Sequence, residues 1–228
     1  MTGATPRRGW LFRALREPVN ALTHALGVPL ALAGLLVLLL LSAGDPWRTV
    51  SFAVYGASLV MLYTASTLLH ALKLEGRGMR ALRIFDHAAI FVLIAGSYTP
   101  ITLVTLRAIS PAWGWTLFGL VWALALAGIA FKLFWIAAPR WLSTGLYLLL
   151  GWLALSAVVP LLRALSPAGL LWLAAGGLFY SVGAVIYARQ RPDPLPGVFG
   201  YHELWHLFVL AGSACHFVMM LGFALPAG

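Results

Sequence analysis

Seven long stretches of the chain are apolar, and short polar or proline-containing segments separate them. Each stretch has about 20 residues or more, which is enough for a helix to cross a hydrocarbon core of about 30 Å. Helices are the expected structure in lipid because they satisfy their own backbone hydrogen bonds. The pattern predicts an all-α fold, a bundle of seven transmembrane helices in a single domain (1–228), with spans near 19–41, 47–72, 84–106, 112–134, 141–163, 168–188 and 201–224.

Composition agrees with a membrane protein. Of the 228 residues, 62% are hydrophobic and only 9% are charged, whereas soluble domains carry about a quarter charged residues. The net charge of +9 comes from basic residues in the short segments between apolar stretches. This distribution argues against a nucleic-acid partner and indicates membrane lipids as the environment. The single cysteine, Cys215, excludes an intrachain disulfide, and the pattern leaves the oligomeric state open.

The basic residues also predict an orientation, since cytoplasmic loops are enriched in lysine and arginine. Twelve lie on one side of the predicted bundle: Arg7, Arg8, Arg13, Arg16, Lys73, Arg77, Arg80, Arg83, Lys132, Arg140, Arg189 and Arg191. Three lie on the other side: Arg48, Arg107 and Arg163. The N-terminus is therefore expected in the cytoplasm and the C-terminus outside.

Ionisable residues inside membrane spans are costly and mark candidate functional sites. The predicted topology brings four of them to one depth. His70 lies near the end of span two, and Asp86 lies near the start of span three. His202 and His206 lie in the first two turns of span seven. All four are expected near the cytoplasmic end of the bundle.

Spacing indicates what these residues can do. His202 and His206 are four residues apart and share one face of a helix. With His70 they form a set of three imidazoles, which leaves a fourth tetrahedral position open for water, as in catalytic zinc sites. Imidazole also suits copper, nickel or iron, so zinc is favoured among several metals. Asp86 would orient the water or accept its proton. A His-x-x-x-His pair alone is a weak signal, and interfacial histidines are common.

At these residues the sequence resembles the hemolysin III group of the progestin and adipoQ receptor (PAQR) family. The resemblance runs over essentially the whole chain. Its motifs are Glu17-Pro-Val-Asn20-Ala-Leu-Thr23-His24, Ser66-Thr-Leu-Leu-His70, Phe85-Asp86-His87 with Gly96-Ser97-Tyr98-Thr99-Pro100, Phe199-Gly200-Tyr201-His202-Glu203-Leu204-Trp205-His206, and Cys215-His216-Phe217.

The resemblance implies a zinc ion held by His70, His202 and His206, with Asp86 and Ser66 close by. It implies a multi-pass protein of the bacterial inner membrane. It also relates the chain to membrane hydrolases that include alkaline ceramidases.

The leading hypothesis is a zinc-dependent hydrolase that acts on a lipid amide or ester at the cytoplasmic leaflet and serves membrane lipid homeostasis. Zinc lowers the pKa of bound water toward about 7 and polarises a carbonyl. Asp86 would accept a proton, and Ser66 would hydrogen-bond the water or the developing oxyanion. The first alternative is a non-enzymatic sensor or homeostasis factor with a structural zinc. The second is a pore-forming cytolysin, which ranks last because no span carries a polar stripe along its length.

Further polar residues have more ordinary interpretations. Glu17, Asn20, Thr23 and His24 could line the same cavity, but interhelical hydrogen bonds that fix packing are favoured. His216 lies ten residues beyond His206, about 15 Å deeper by helical rise, and is expected to be a core histidine. Glu203 and His87 are expected to face away from the site, Glu203 toward the headgroup interface.

Overall fold

The computed structural model describes residues 14–224, which are nearly all helical and form no strand within that range. Seven helices are long and apolar enough to cross a membrane: α1 (Pro18–Leu41), α2 (Pro46–Ala71), α3 (Gly76–Ile109), α4 (Pro111–Phe134), α5 (Arg140–Ala164), α6 (Pro167–Arg189) and α7 (Tyr201–Ala224). The predicted all-α, seven-span fold is confirmed. Arg7, Arg8 and Arg13 lie outside the described residues, and the orientation of the chain in the membrane stays a prediction.

Local sequence chemistry explains where most helices begin. Proline occupies the first turn of α1, α2, α4 and α6, where its missing N–H costs no hydrogen bond. Asp45 caps α2 by accepting hydrogen bonds from the backbone N–H groups of Trp47 and Arg48. Ser166 caps α6 by accepting one from the N–H of Gly169.

Helix α3 begins earlier than the apolar pattern indicated. It starts at Gly76 rather than near residue 84, where the predicted span begins. The apolar pattern marks only the part of a helix that is suited to lipid. Arg80 and Arg83 are exposed on the first turns of α3, and arginine is a good helix former. The helix therefore extends beyond its apolar segment.

Two helices depart from α-helical geometry in mid-span. In α3, a π-helical segment (Ile101–Leu106) follows Pro100 directly. In α5, a 3₁₀ segment (Trp152–Ala157) precedes Pro160. Proline removes a backbone donor, so a change of helix type beside it is expected.

The helices alternate in direction, so α1, α3, α5 and α7 begin at the end of the bundle where α2, α4 and α6 end. We call this the basic end, because it carries Lys73, Arg77, Arg80, Arg83, Arg140, Arg189 and Arg191. Helices α2 and α3 are the most buried, whereas α1, α5 and α6 expose most of their apolar side chains. The bundle thus has a packed centre and an apolar outer surface suited to lipid.

Candidate metal centre

Three histidines from two helices converge at the basic end. His70 is the next-to-last residue of α2, and His202 and His206 occupy the first two turns of α7. Their ligand nitrogens lie within 4.8 Å of one another, with His70 and His206 buried and His202 half-buried. Two zinc–nitrogen bonds of about 2.0–2.1 Å span at most about 4.2 Å, so the rings would have to move slightly closer to share one ion. The cluster could hold a metal ion.

The Nδ1 atoms of two of these histidines already have partners on α1 or just before it. His70 Nδ1 is hydrogen-bonded to Oε2 of Glu17. His206 Nδ1 lies 3.2 Å from the carbonyl oxygen of Asn20 and 3.2 Å from Oγ1 of Thr23. A proton on each Nδ1 satisfies these contacts and leaves Nε2 as the ligand atom. This is the usual arrangement around metal-binding histidines, where the second ring nitrogen donates to a carboxylate or carbonyl.

Glu17 is held in place by its neighbours. Its carboxylate forms an ion pair with Arg16 at 3.0 Å, and its backbone N–H donates to the carbonyl of His70 at 2.9 Å. Burial alone would raise the pKa of Glu17, but the hydrogen bond and charge of His70, together with Arg16, lower this pKa below its usual value. The carboxylate therefore stays ionised beside His70.

Glu203 was expected to face the headgroup interface, but its carboxylate is instead hydrogen-bonded within the protein. Oε2 accepts a hydrogen bond from the backbone N–H of Gly200 at 2.8 Å and so caps α7. Oε1 accepts a second one from Nδ2 of Asn20 at 2.8 Å. Glu203 thereby joins the start of α7 to α1.

Ser66 and Asp86 lie beside each other next to the three histidines, and both line the apolar cavity. Ser66 lies one turn before His70 on α2 and is buried, and Asp86 is half-buried on α3. Asp86 and His70 line the same cavity at the basic end. The structure thus brings all five predicted site residues to one region: His70, His202, His206, Asp86 and Ser66.

The other histidines occupy distinct positions. His24 is buried, stacks on His206 with ring centroids 3.7 Å apart, and has no hydrogen-bond partner among the described residues. His87 was expected to face elsewhere, but it lines the same cavity as Asp86, with Nδ1 3.3 Å from the hydroxyl of Tyr147. His216 is the core histidine expected, with Nε2 3.3 Å from the carbonyl of Leu173.

Two cavities meet at the histidines. One, of about 640 Å³, runs into the bundle between α3, α5, α6 and α7 and is mostly apolar. The other, of about 970 Å³, opens at the basic end and is lined by charged side chains that include Arg16, Arg83 and Glu17. Asp86 and His202 line both. The arrangement suits an amphiphile that has an apolar chain and a polar group near the histidines.

Glu17, Asn20 and Thr23 were expected near this region, with a packing role favoured for them. The structure shows hydrogen bonds from Glu17 and α1 to other helices, as expected, and three of them end on the candidate metal ligands. The available signal was the spacing in Glu17-x-x-Asn20-x-x-Thr23, which puts the three side chains near one face at the start of α1.

The seven apolar helices identify the protein as a polytopic membrane protein, and the three clustered histidines give it a candidate metal site at one end of the bundle. A family model described as haemolysin-III related matches residues 12–217. The chain therefore belongs to the haemolysin-III related family.

Individual relatives agree with this placement. The chain is 43% identical over 213 residues to "Hemolysin-3 homolog" of Bacillus subtilis (strain 168), covering 92% of this chain and 95% of that protein. It is 42% identical over 212 residues to "Hemolysin-3" of Bacillus cereus, covering 92% of each. A more distant relative is human "Monocyte to macrophage differentiation factor", 27% identical over 203 residues, with 87% of this chain and 80% of that protein covered. Relatives of this kind fit the wider PAQR family.

Proposed function

We propose that this protein is a zinc-dependent hydrolase that cleaves an amide or ester bond of a membrane lipid and serves membrane lipid homeostasis. One observation carries the proposal. The three-histidine cluster and the Ser66–Asp86 pair lie together where an apolar cavity meets a polar one. Such an arrangement would bring a metal, a proton acceptor and room for an acyl chain into one site.

The ligand set fits zinc. Three imidazoles with one open position are the pattern of catalytic zinc sites, and the Nδ1 partners of His70 and His206 orient both rings toward a common centre. Copper, nickel and iron also accept imidazole, so metal analysis belongs to the test. When bound, zinc would supply an acidified water and polarise the carbonyl that is attacked.

The chain's own residues would move the proton. Asp86 accepts it from the attacking water, since its carboxylate lines the cavity beside His70. Ser66 lies beside Asp86 on the neighbouring helix α2. Ser66 also lines the apolar cavity, where its hydroxyl can bind the water or the developing oxyanion.

The apolar cavity would hold the lipid chain. Leu155 and Leu162 of α5 line it and are also exposed on the outer surface of the bundle. The cavity therefore reaches the surface that we assign to lipid, and a substrate chain could enter sideways. With the predicted orientation, cleavage takes place at the cytoplasmic leaflet.

The test combines metal analysis with product analysis. Purified protein in lipid nanodiscs is assayed for bound metals by mass spectrometry, with His206→Ala as the variant expected to lose zinc. The same samples are incubated with bacterial lipid extracts, and released fatty acids or amine bases are quantified. Stoichiometric zinc without release from any bacterial lipid contradicts the hydrolase proposal.

A structural metal is the second candidate, and the contacts around the cluster favour it. Glu17–His70, Asn20–Glu203 and Thr23–His206 tie α1 to α2 and α7 at the basic end. A metal there would fix these helix ends in a non-enzymatic sensor. In that case Asp86→Asn would leave every property unchanged, while His206→Ala would lower the melting temperature.

Pore formation is the third candidate, and the names of the two Bacillus relatives suggest it. Its test is conductance in pure lipid vesicles. Conductance that a correctly folded variant abolishes would support cytolysis in place of hydrolysis.

A further inference from the structure

One wall of the apolar cavity carries a buried cation. Lys132, in the last turn of α4, is only 1% exposed and lines the cavity. Its ammonium group donates a hydrogen bond to Oγ of Ser143 on α5. Ser143 in turn donates to the carbonyl of Pro139 at 3.5 Å. These partners are neutral, so they satisfy hydrogen bonds without balancing the charge.

A second cation lies at the mouth of the same cavity. Arg140, the first residue of α5, is half-buried and lines both cavities. Its guanidinium carbon lies 4.8 Å from the ring centroid of Tyr187 and 5.6 Å from that of Tyr201. Aromatic faces hold a guanidinium in place but leave its charge uncompensated.

Arg140 shares the open cavity with Glu17, Asp86, Asp193 and Glu203, but neither cation is in an ion pair with a described residue. Among the described residues, the three ion pairs join Glu17 to Arg16, Asp45 to Arg48, and Glu17 to His70, so none includes Lys132 or Arg140. Asp86 is the only carboxylate among the described residues that line the apolar cavity, and it forms no ion pair with either cation. His87 lines both cavities together with Arg140.

A buried, unpaired ammonium group needs an explanation, because taking a charge out of water is costly. The C-terminal carbonyls of α4 offset part of this cost. If Lys132 served only to link α4 to α5, a hydrogen bond from a neutral side chain would be enough. A purely structural role for Lys132 also leaves unexplained why a second cation lines the same cavity. An anionic ligand explains both charges.

We propose that Lys132 and Arg140 form a cationic subsite that binds the anionic group, carboxylate or phosphate, of a lipid whose chain occupies the apolar cavity. The inference deepens the proposed function, because it assigns a charge to the substrate or product. It rests on that function only in taking the ligand to be a lipid, and binding does not require cleavage.

Three probes with the same chain test the subsite: hexadecyl phosphate, hexadecanoate and hexadecanol. None contains a bond that the proposed hydrolase would cleave. Binding to the purified, zinc-loaded protein in neutral detergent is measured by native mass spectrometry. Wild type is expected to bind the two anionic probes at least about tenfold more tightly than the alcohol. A preference for phosphate would indicate a phospholipid headgroup, and a preference for carboxylate would indicate a fatty acid.

Variants assign the selectivity to the two cations. Lys132→Met is expected to lower the affinity for both anionic probes about tenfold and to leave hexadecanol binding unchanged. Lys132→Arg keeps the charge and should retain most of the affinity. The matched control is Arg163→Gln, which removes a positive charge from α5 outside both cavities and should bind as wild type does. Arg140→Gln gives an independent result if Lys132→Met does not fold.

Equal binding of the three probes to wild type would overturn the proposal. Unchanged anion affinity in folded Lys132→Met and in Arg140→Gln would overturn it as well. These outcomes are separate from failure of the proposed function. If the protein prefers the anionic probes but hydrolyses no lipid, only the hydrolase proposal is contradicted. If it hydrolyses a lipid but binds all three probes equally, only the subsite proposal is contradicted.

Discussion

Nδ1 of His70, at the end of α2, is hydrogen-bonded to the carboxylate of Glu17, the residue that precedes α1. The same two residues are also joined through their backbones, since the N–H of Glu17 donates to the carbonyl of His70 at 2.9 Å. A candidate metal ligand and its orienting carboxylate are therefore fixed to each other twice. The metal affinity of the cluster should depend on a residue that is not itself a ligand.

Glu17→Gln should weaken zinc binding about 10- to 100-fold while the fold is kept, since outer partners of metal-binding histidines have effects of this size. The amide can still accept a hydrogen bond from Nδ1 but carries no charge. Zinc affinity is measured by competition with a chelator of known affinity. Glu75→Gln, at an exposed site before α3, is the control. Equal affinity in both variants would show that Glu17 serves packing only.

The histidines should separate into ligands and non-ligands. His206→Ala should lose zinc, because His206 is one of the three clustered imidazoles. His216→Ala should keep it, because His216 is hydrogen-bonded to Leu173 on α6 and lies outside the cluster. Metal content of the purified variants checks both expectations. Zinc loss in His216→Ala with an unchanged melting temperature would contradict the assignment.

Asp86→Asn should remove catalysis without removing the metal. Loss of a general base lowers turnover by about 10²- to 10⁴-fold, and the amide has nearly the same size and shape as the carboxylate. Fatty acid or base release is measured beside zinc content and melting temperature. Ser66→Ala should have a smaller effect, since Asp86 remains. Full activity in zinc-loaded Asp86→Asn would exclude Asp86 as the proton acceptor.

Much of the fold could be predicted from the sequence, because lipid imposes an apolar pattern on every span. The start of α3 at Gly76 was missed, since its first turns lie outside the apolar stretch and carry arginine. The candidate site was predictable in part. The spacing of His202 and His206, together with alternating helix directions, brings them to the depth of His70.

The remaining contacts depend on tertiary packing that a linear pattern does not contain. Asn20 meets Glu203 across 183 residues of chain, and the approach of α1 to α7 decides that contact. The same holds for Lys132. Lys132 lies at the end of the predicted span 112–134 and was counted with the basic residues of the cytoplasmic side. Only the packing of α4 against α5 shows that it is buried against Ser143.

Close helix packing at Gly27 should make this position intolerant of larger residues. A methyl group added at Gly27 would lie 2.5 Å from Cδ1 of Tyr63. Tyr63 is buried and donates to Ser213 at 2.8 Å, so it cannot move freely. Gly27→Ala should destabilise the protein by about 1–3 kcal/mol. Gly119→Ala, which meets no atom within 4 Å, is the matched control, and thermal unfolding in detergent compares the two. Equal melting temperatures would show that α1 shifts to accept the methyl group.

The orientation of the bundle decides which leaflet the site faces, and single cysteines can report it. In a Cys215→Ser background, Ala168→Cys lies near the start of α6 and Leu195→Cys lies in the segment before α7, both at exposed positions. The excess of basic residues near Leu195 predicts that this side is cytoplasmic. An impermeant maleimide applied to intact cells should therefore label Ala168→Cys and spare Leu195→Cys until the membrane is permeabilised. The reverse pattern would place the histidine cluster at the outer leaflet, and the proposed substrate would then be a lipid of that leaflet.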